Sequence, residues 1–342
     1  MPGCKVKSMM YDTRRSRYIA LPCCATASGG SKEMVNSKEV VNMRVMQFDD
    51  YGPPEVLHPA EIDTPAAGPG QLQIRVAATG VNPADYKWRG GMFRNSNPVK
   101  LPHVVGYDVA GTVTALGSGV GTFRLGDRVA ASVRSGYAEF AVAAASACAK
   151  LPDGFDFAIA AALPCAGLTG VQMIEEGVRP HTGQCILITG ATGAVGRFAV
   201  HAALRLGARV VAALRPAYFE EARRIGAHET IPLEGDNTGK LSFDHVADTV
   251  GGPAVAKLCG HLVAGGSIIT VSTTPIDPTG LSTAPRFFAY HPDGLRLERL
   301  IDDVLTGVVA MPVARRLPLG SAVEAHRLME AGGVAGKIIL QP

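Results

Sequence analysis

The sequence has no uninterrupted apolar run approaching the roughly 18 residues that a membrane-spanning helix requires. Its 40 glycines follow no Gly-X-Y period, which excludes a collagen-like fibre. Neither charge sign dominates: 33 Lys and Arg against 30 Asp and Glu leave +3, too little and too dispersed for a nucleic-acid footprint. A disulfide framework is also missing. The seven cysteines, at 4, 23, 24, 148, 165, 185 and 259, are odd in number and irregular in spacing, which points to a reduced, cytosolic chain. What the chain does have is 47% hydrophobic residues and only 18% charged ones, too apolar a mixture to stay disordered. At about 150 residues per domain, 342 residues predict two domains, each able to bury a core.

Residues 1–42 stand apart. They hold Lys5, Lys7, Arg14, Arg15, Arg17, Lys32 and Lys38 against Asp12, Glu33 and Glu39, with no apolar periodicity. Two readings are open: a disordered upstream extension, or an acid-poor organellar import leader. Pro22 interrupts the one short apolar patch and favours the first.

From Met43 onward the pattern changes. Residues 43–48, 71–81, 108–116, 128–133 and 137–142 read as strands bounded by Gly and Pro turns, the signature of a compact β-rich domain. After residue 155, helices are expected at 156–163 and 168–176. A strict alternation then begins, with apolar strands at 185–189, 209–214, 245–250 and 267–272, a short one near Thr230, and helices at 195–206, 218–225 and 253–262. Continuous apolar strands alternating with helices specify a doubly wound parallel sheet, so the fold class is α/β. A last helix, 322–329, and strand, 336–340, lie beyond this unit and are expected to rejoin the first domain.

The sharpest motif is Thr189-Gly190-Ala191-Thr192-Gly193-Ala194-Val195-Gly196, where a strand turns into a helix. Gly193 removes a side chain where backbone must approach a pyrophosphate, and Gly196 lets helix and strand pack closely. The N–H groups near Ala194 and Val195, at the positive helix end, face the phosphates. At the end of the next strand a NAD site places an acid for the ribose 2′-hydroxyl. Here Leu214 takes that place and Arg215 follows, a pairing that suits the 2′-phosphate of NADPH. A solvated loop charge is the alternative for Arg215.

These residues resemble the medium-chain dehydrogenase/reductase superfamily, in its zinc-independent quinone oxidoreductase branch. The resemblance spans Met43 to the C-terminus. It rests on Gly80-Val81-Asn82-Pro83-Ala84-Asp85-Tyr86-Lys87-Trp88-Arg89-Gly90-Gly91, on Gly106-Tyr107-Asp108-Val109-Ala110-Gly111, on Phe123-Arg124-Leu125-Gly126-Asp127-Arg128-Val129, on Gly136-Tyr137-Ala138-Glu139-Phe140 and on Ala162-Leu163-Pro164-Cys165-Ala166-Gly167-Leu168-Thr169, in that order and ahead of the glycine turn. It implies a GroES-like catalytic domain over 43–165 completed by 310–342, a Rossmann NADPH-binding domain over 166–309, and a homodimer.

Zinc alcohol dehydrogenases of the superfamily carry Cys near Asn82 and Gly-His-Glu at 106–108; this chain carries Gly-Tyr-Asp and lacks the clustered four-cysteine lobe. His103 and His181 are isolated, so nothing supplies the converging ligands a zinc site needs. Without a Lewis acid, the expected chemistry is hydride delivery from NADPH to an electrophilic acceptor, a quinone or an α,β-unsaturated carbonyl. An enoyl-thioester reductase using Arg94 and Lys100 at its entrance, and an NADPH-binding sensor without turnover, are the alternatives.

Asn82 begins a helical turn and is either its cap or a donor to the acceptor. Lys87 and Tyr86 are candidate proton donors, with a solvated lysine and a packing aromatic as the alternatives. Asp85 is expected to order the loop by pairing with Arg89. By the resemblance, Thr169 and Lys337 face the cofactor. Val250, Val271 and Ser272 end parallel strands, where ligands of such sheets bind, and join Ala191 and the turn glycines as cofactor contacts. Arg197 and Asp248 read as structural. The loops at 92–100 and 273–291 carry no readable substrate code.

Overall fold

In the computed structural model, residues 9–12, 17–20, 42–235 and 242–342 are described. Strands β1 (Met9–Asp12) and β2 (Arg17–Ala20) pair antiparallel, with Met9 opposite Ala20. They form a unit of their own, and the rest of the 1–41 segment lies outside the described residues.

Alternating apolar and polar residues build the β-rich part of the second unit. β3 (Asn42–Phe48) pairs with β4 (His58–Asp63) and, after β5 (Gln71–Gly80) and α1 (Pro83–Arg89), with β6 (His103–Val104). β5 buries Leu72, Ile74, Val76 and Ala78 at every second position, as a strand with one core face must. It pairs antiparallel with β7 (Asp108–Leu116) and β9 (Phe140–Ala144), while β8 (Arg128–Ser132) and β10 (Cys148–Lys150) extend the same sheet. The strand expected at 137–142 therefore starts later, at Phe140. Tyr137 precedes it, wholly buried, with its hydroxyl turned to polar partners.

Two helices, α2 (Phe157–Ala160) and α3 (Pro164–Gln172), carry the chain across to a six-stranded parallel sheet. Its elements are β11 (Cys185–Thr189), α4 (Ala194–Arg205), β12 (Arg209–Leu214), α5 (Phe219–Arg224), β13 (Glu229–Pro232), β14 (Phe243–Asp248), α6 (Gly252–Cys259), β15 (Leu262–Thr270) and β16 (Arg286–Phe287). The spatial order β13-β12-β11-β14-β15-β16 reverses direction between β11 and β14, which opens a ligand-binding crevice at their carboxyl ends. Continuous burial along β11 and β12 reflects helices on both faces. After α7 (Gly294–Leu305) the chain returns: β17 (Val313–Pro318), α8 (Ala322–Ala331) and β18 (Lys337–Gln341) follow, and β18 lies beside β5 with Ile339 opposite Gly80. Among the described residues, no helix is long and apolar enough to cross a membrane.

Candidate active site

The turn after β11 is shaped by what its glycines leave empty. Gly190 has a positive φ of 60°, and a Cβ on Gly196 would stand 2.2 Å from Gly190 O. α4 therefore begins hard against the strand. Gly193 is its exposed N-cap, leaving the half-exposed Ala194 and Val195 in the first turn of a 12-residue helix with N–H groups outward. α3 packs on α4 just as closely, because a Cβ on Gly170 would meet Val195 O at 2.4 Å. Thr169, buried, directly precedes this close-packed glycine on α3. The cradle fits a dinucleotide pyrophosphate.

Two residues left as structural by the sequence shape this crevice. Asp248, wholly buried at the end of β14, accepts from Thr189 Oγ1 at 2.6 Å, Val250 N at 3.0 Å, Gly251 N at 2.9 Å and Thr270 Oγ1 at 2.6 Å. It ties three adjacent strand ends together. Ser272 Oγ then donates to Val250 O at 2.8 Å, so Val250, Val271 and Ser272 share one rim. Arg197 donates from Nη2 to Thr192 O at 2.8 Å and to Glu221, and from Nη1 to Ala310 O at 3.0 Å, which pins the glycine turn from below. Arg215 is exposed beyond β12, with its guanidinium 5.1 Å from the Tyr218 ring centre.

On the β-rich side, Asn82 and Lys337 come together. Lys337 Nζ donates to Asn82 Oδ1 at 2.6 Å and to Asp108 Oδ2 at 3.3 Å, while Asn82 Nδ2 donates to the same Asp108 oxygen at 2.8 Å. All three are buried, and desolvation raises the Asp108 carboxyl while Lys337, Asn82 and the Cys165 amide pull it back. Asn82 stands at the N-cap of α1 in a capping box with Asp85, and its amide is also engaged by Lys337, Asp108 and, at 3.4 Å, Gly80 O. The expected Asp85–Arg89 pair does not form. Asp85 Oδ2 accepts from Asn82 N at 2.8 Å and Tyr137 OH at 3.0 Å, and Arg89 pairs with Glu330 on α8. Placed four apart on a helix, the two would normally meet, but the capping bond turns Asp85 back toward its N-terminus. Burial pushes the Asp85 carboxyl up to about 7.

Lys87 and Tyr86 are half-buried on α1. Burial draws the Lys87 ammonium down and holds the Tyr86 hydroxyl up, with Glu330 adding to the latter. A cavity of about 390 Å³ lies at the end of β15, lined by Phe93, Ser272, Thr274, Ile276, Pro285 and Phe287 among others. Phe93 comes from the 92–100 loop and the rest from β15 onward, so both loops without a readable code meet here. No charged side chain lines it.

The residues present do not fit a zinc ion. Among the described residues no three His, Cys, Asp or Glu side chains gather to hold a metal. In the 106–108 stretch, where a zinc dehydrogenase has Gly-His-Glu, Asp108 is spent on Lys337, Asn82 and the Cys165 amide.

A GroES-like β domain followed by a Rossmann sheet with a glycine turn at its first strand defines a nicotinamide-dependent dehydrogenase or reductase. Residues 68–153 match the alcohol dehydrogenase GroES-like domain and residues 219–340 the zinc-binding dehydrogenase domain. The chain belongs to the medium-chain dehydrogenase/reductase superfamily, among its quinone oxidoreductase-like members, and is an oxidoreductase. It is 30% identical over 326 residues to a chloroplast envelope quinone oxidoreductase homolog of Arabidopsis thaliana, covering 88% of this chain and 98% of that protein. A 2-methylene-furan-3-one reductase of Solanum lycopersicum is 28% identical over 358 residues, 99% of this chain and 89% of that protein. Among solved structures, the Coxiella burnetii quinone oxidoreductase superposes with a TM-score of 0.79 at 28% identity, covering 88% of this chain and all of that one. A mycobacterial protein in complex with NADPH superposes at 0.77 with 27% identity and the same coverage.

Proposed function

We propose that the chain transfers a hydride from NADPH to a quinone or an α,β-unsaturated carbonyl compound without a metal. The observation that carries this reading is the uncharged cavity between Phe93 and the β15 rim, adjoining the strand ends assigned to the cofactor. Its walls of phenylalanine, proline and isoleucine suit a flat, neutral acceptor. When bound, the nicotinamide supplies the hydride, and every other task belongs to side chains of this chain. Ala191, Gly193, Ala194, Val195 and Gly196 hold the pyrophosphate, Arg215 takes the 2′-phosphate, and Thr169, Val250, Val271 and Ser272 position the ring. Asn82 and Lys337 form the floor opposite.

Reduction of an enone adds hydride at the β-carbon and a proton at the α-carbon; a quinone takes hydride plus proton to the hydroquinone. Lys87, partly desolvated and in no ion pair among the described residues, is the proton donor this reading favours, with Tyr86 beside it. An enoyl thioester would need a cationic entrance; Arg94 and Lys100 are exposed, but neither lines the cavity. The NADP-binding sensor reading is separated from the others by turnover alone. The reading also includes a cytoplasmic homodimer. The outermost strand, β16, exposes Phe287 at 55%, an apolar edge that a second copy would cover.

The test is NADPH oxidation with 1,4-naphthoquinone, an alkenal and a crotonyl thioester, each with and without a chelator. Chelator-insensitive oxidation with one of the first two is expected. Oxidation with none, despite NADPH binding, would refute the proposal, as would loss of activity on chelation.

A further inference from the structure

The chain passes from the β-rich sheets to the nucleotide sheet at α3, and returns between α7 and β17. One buried carboxylate touches the first crossing directly and the second through Lys337. Asp108 Oδ1 accepts from Cys165 N, at the first crossing, at 2.7 Å. Its Oδ2 accepts from Asn82 Nδ2 and Lys337 Nζ, and Lys337 in turn donates its backbone N–H to Pro312 O, at the second crossing, at 2.9 Å. Two residues before Pro312, Ala310 O accepts from Arg197, which also holds the glycine turn through Thr192 O. An unbroken set of contacts thus runs from the phosphate turn to Asn82.

Asp108 is packed closely against Gly80. Gly80 lies so close that a Cβ there would stand 2.9 Å from Asp108 Oδ2 and 2.4 Å from Ala161 O. The charge of Asp108 is matched by that of Lys337, itself 3% exposed, so neither can be removed without leaving the other as an isolated buried ion.

We infer that Asp108 is a positioning residue for hydride transfer: it fixes the carboxamide of Asn82 and the ammonium of Lys337 while anchoring the start of α3, so that the substrate floor and the cofactor helices keep one alignment. This rests on the proposed reductase reading. Asn82 acts within this frame as a held wall of the site rather than as a free donor, because its amide groups are already taken. Catalysis depends on such alignment steeply, and a misplacement of about 1 Å costs about 100-fold in rate.

The test compares Asp108→Asn, Lys337→Met and the double variant in the full-length chain. Asp108→Asn is expected to lower kcat about 100-fold while the Kd for NADPH moves by less than about threefold, because the pyrophosphate turn at 190–196 makes no bond to Asp108. The double variant should be no slower than the slower single variant, since the pair acts as one unit. A kcat within about twofold of the parent, or losses that simply multiply, would overturn the inference. Absence of turnover in the parent chain refutes the reductase reading alone. Hydrogen exchange then decides the positioning role: Asp108→Asn should speed exchange together in residues 80–85, 164–169 and 336–339 and leave β12 unchanged. Unchanged exchange in these segments, or a uniform rise across the chain, would contradict it.

Discussion

At the scale of single residues, burial decides more than identity. Asp85 and Asp108 are both wholly buried acids in the β-rich half, yet only Asp108 has a cation in contact. The folded pKa of Asp85, about 7, lies above the roughly 3.9 of an unfolded aspartate. Across roughly pH 4 to 7 the folded chain therefore holds a proton that the unfolded chain has lost, and stability falls as pH rises through that window. Asp85→Asn keeps the neutral form at every pH. It should flatten this part of the slope, gaining on the parent chain above pH 7, and thermal melts across the range will show it; an unchanged slope contradicts the assignment. Arg215 makes the second prediction at this scale. Arg215→Ala should raise the KM for NADPH about tenfold or more, the worth of a charge-assisted bond, and that for NADH hardly at all. Equal changes for both cofactors would remove its 2′-phosphate role.

At the scale of elements, the glycine turn and the strands flanking it were legible because their signals are local. Gly196 is required by a backbone carbonyl 2.2 Å from where its side chain would start. Gly196→Ala should therefore weaken NADPH binding about tenfold, whereas Gly121→Ala, with nothing within 4 Å, should bind the cofactor as the parent does. Fluorescence titration separates the two. β4 and α7 were not legible as elements, for different reasons. β4 alternates exposed and half-buried residues through His58-Pro59-Ala60-Glu61, with no continuous apolar face. α7 does bury Leu297, Leu300 and Ile301 at helical spacing behind an Asp293 cap, but it follows a long Pro- and Thr-rich loop that draws attention from it. Of the site, the residues proposed to touch ligands were the readable part. Asp108 and Asp248 were not, because their work is to accept bonds from groups up to 229 residues away, and no sequence period records such partners.

At the scale of the whole molecule, two crossings of the chain join the β-rich sheets to the nucleotide sheet, and the crevice beside the β15 rim brings Phe93 of the first part against the second. Its lack of charge suits the proposed direct hydride transfer to a neutral acceptor. The most direct test of that claim follows the hydride itself. NADPH carrying deuterium at the transferable C4 position is incubated with an α,β-unsaturated ketone, and the product is read by mass and NMR. One deuterium at the β-carbon, with a hydrogen from solvent at the α-carbon, is the result predicted. A product without deuterium at the β-carbon, or NADPH that binds and stays unoxidised, would contradict the account.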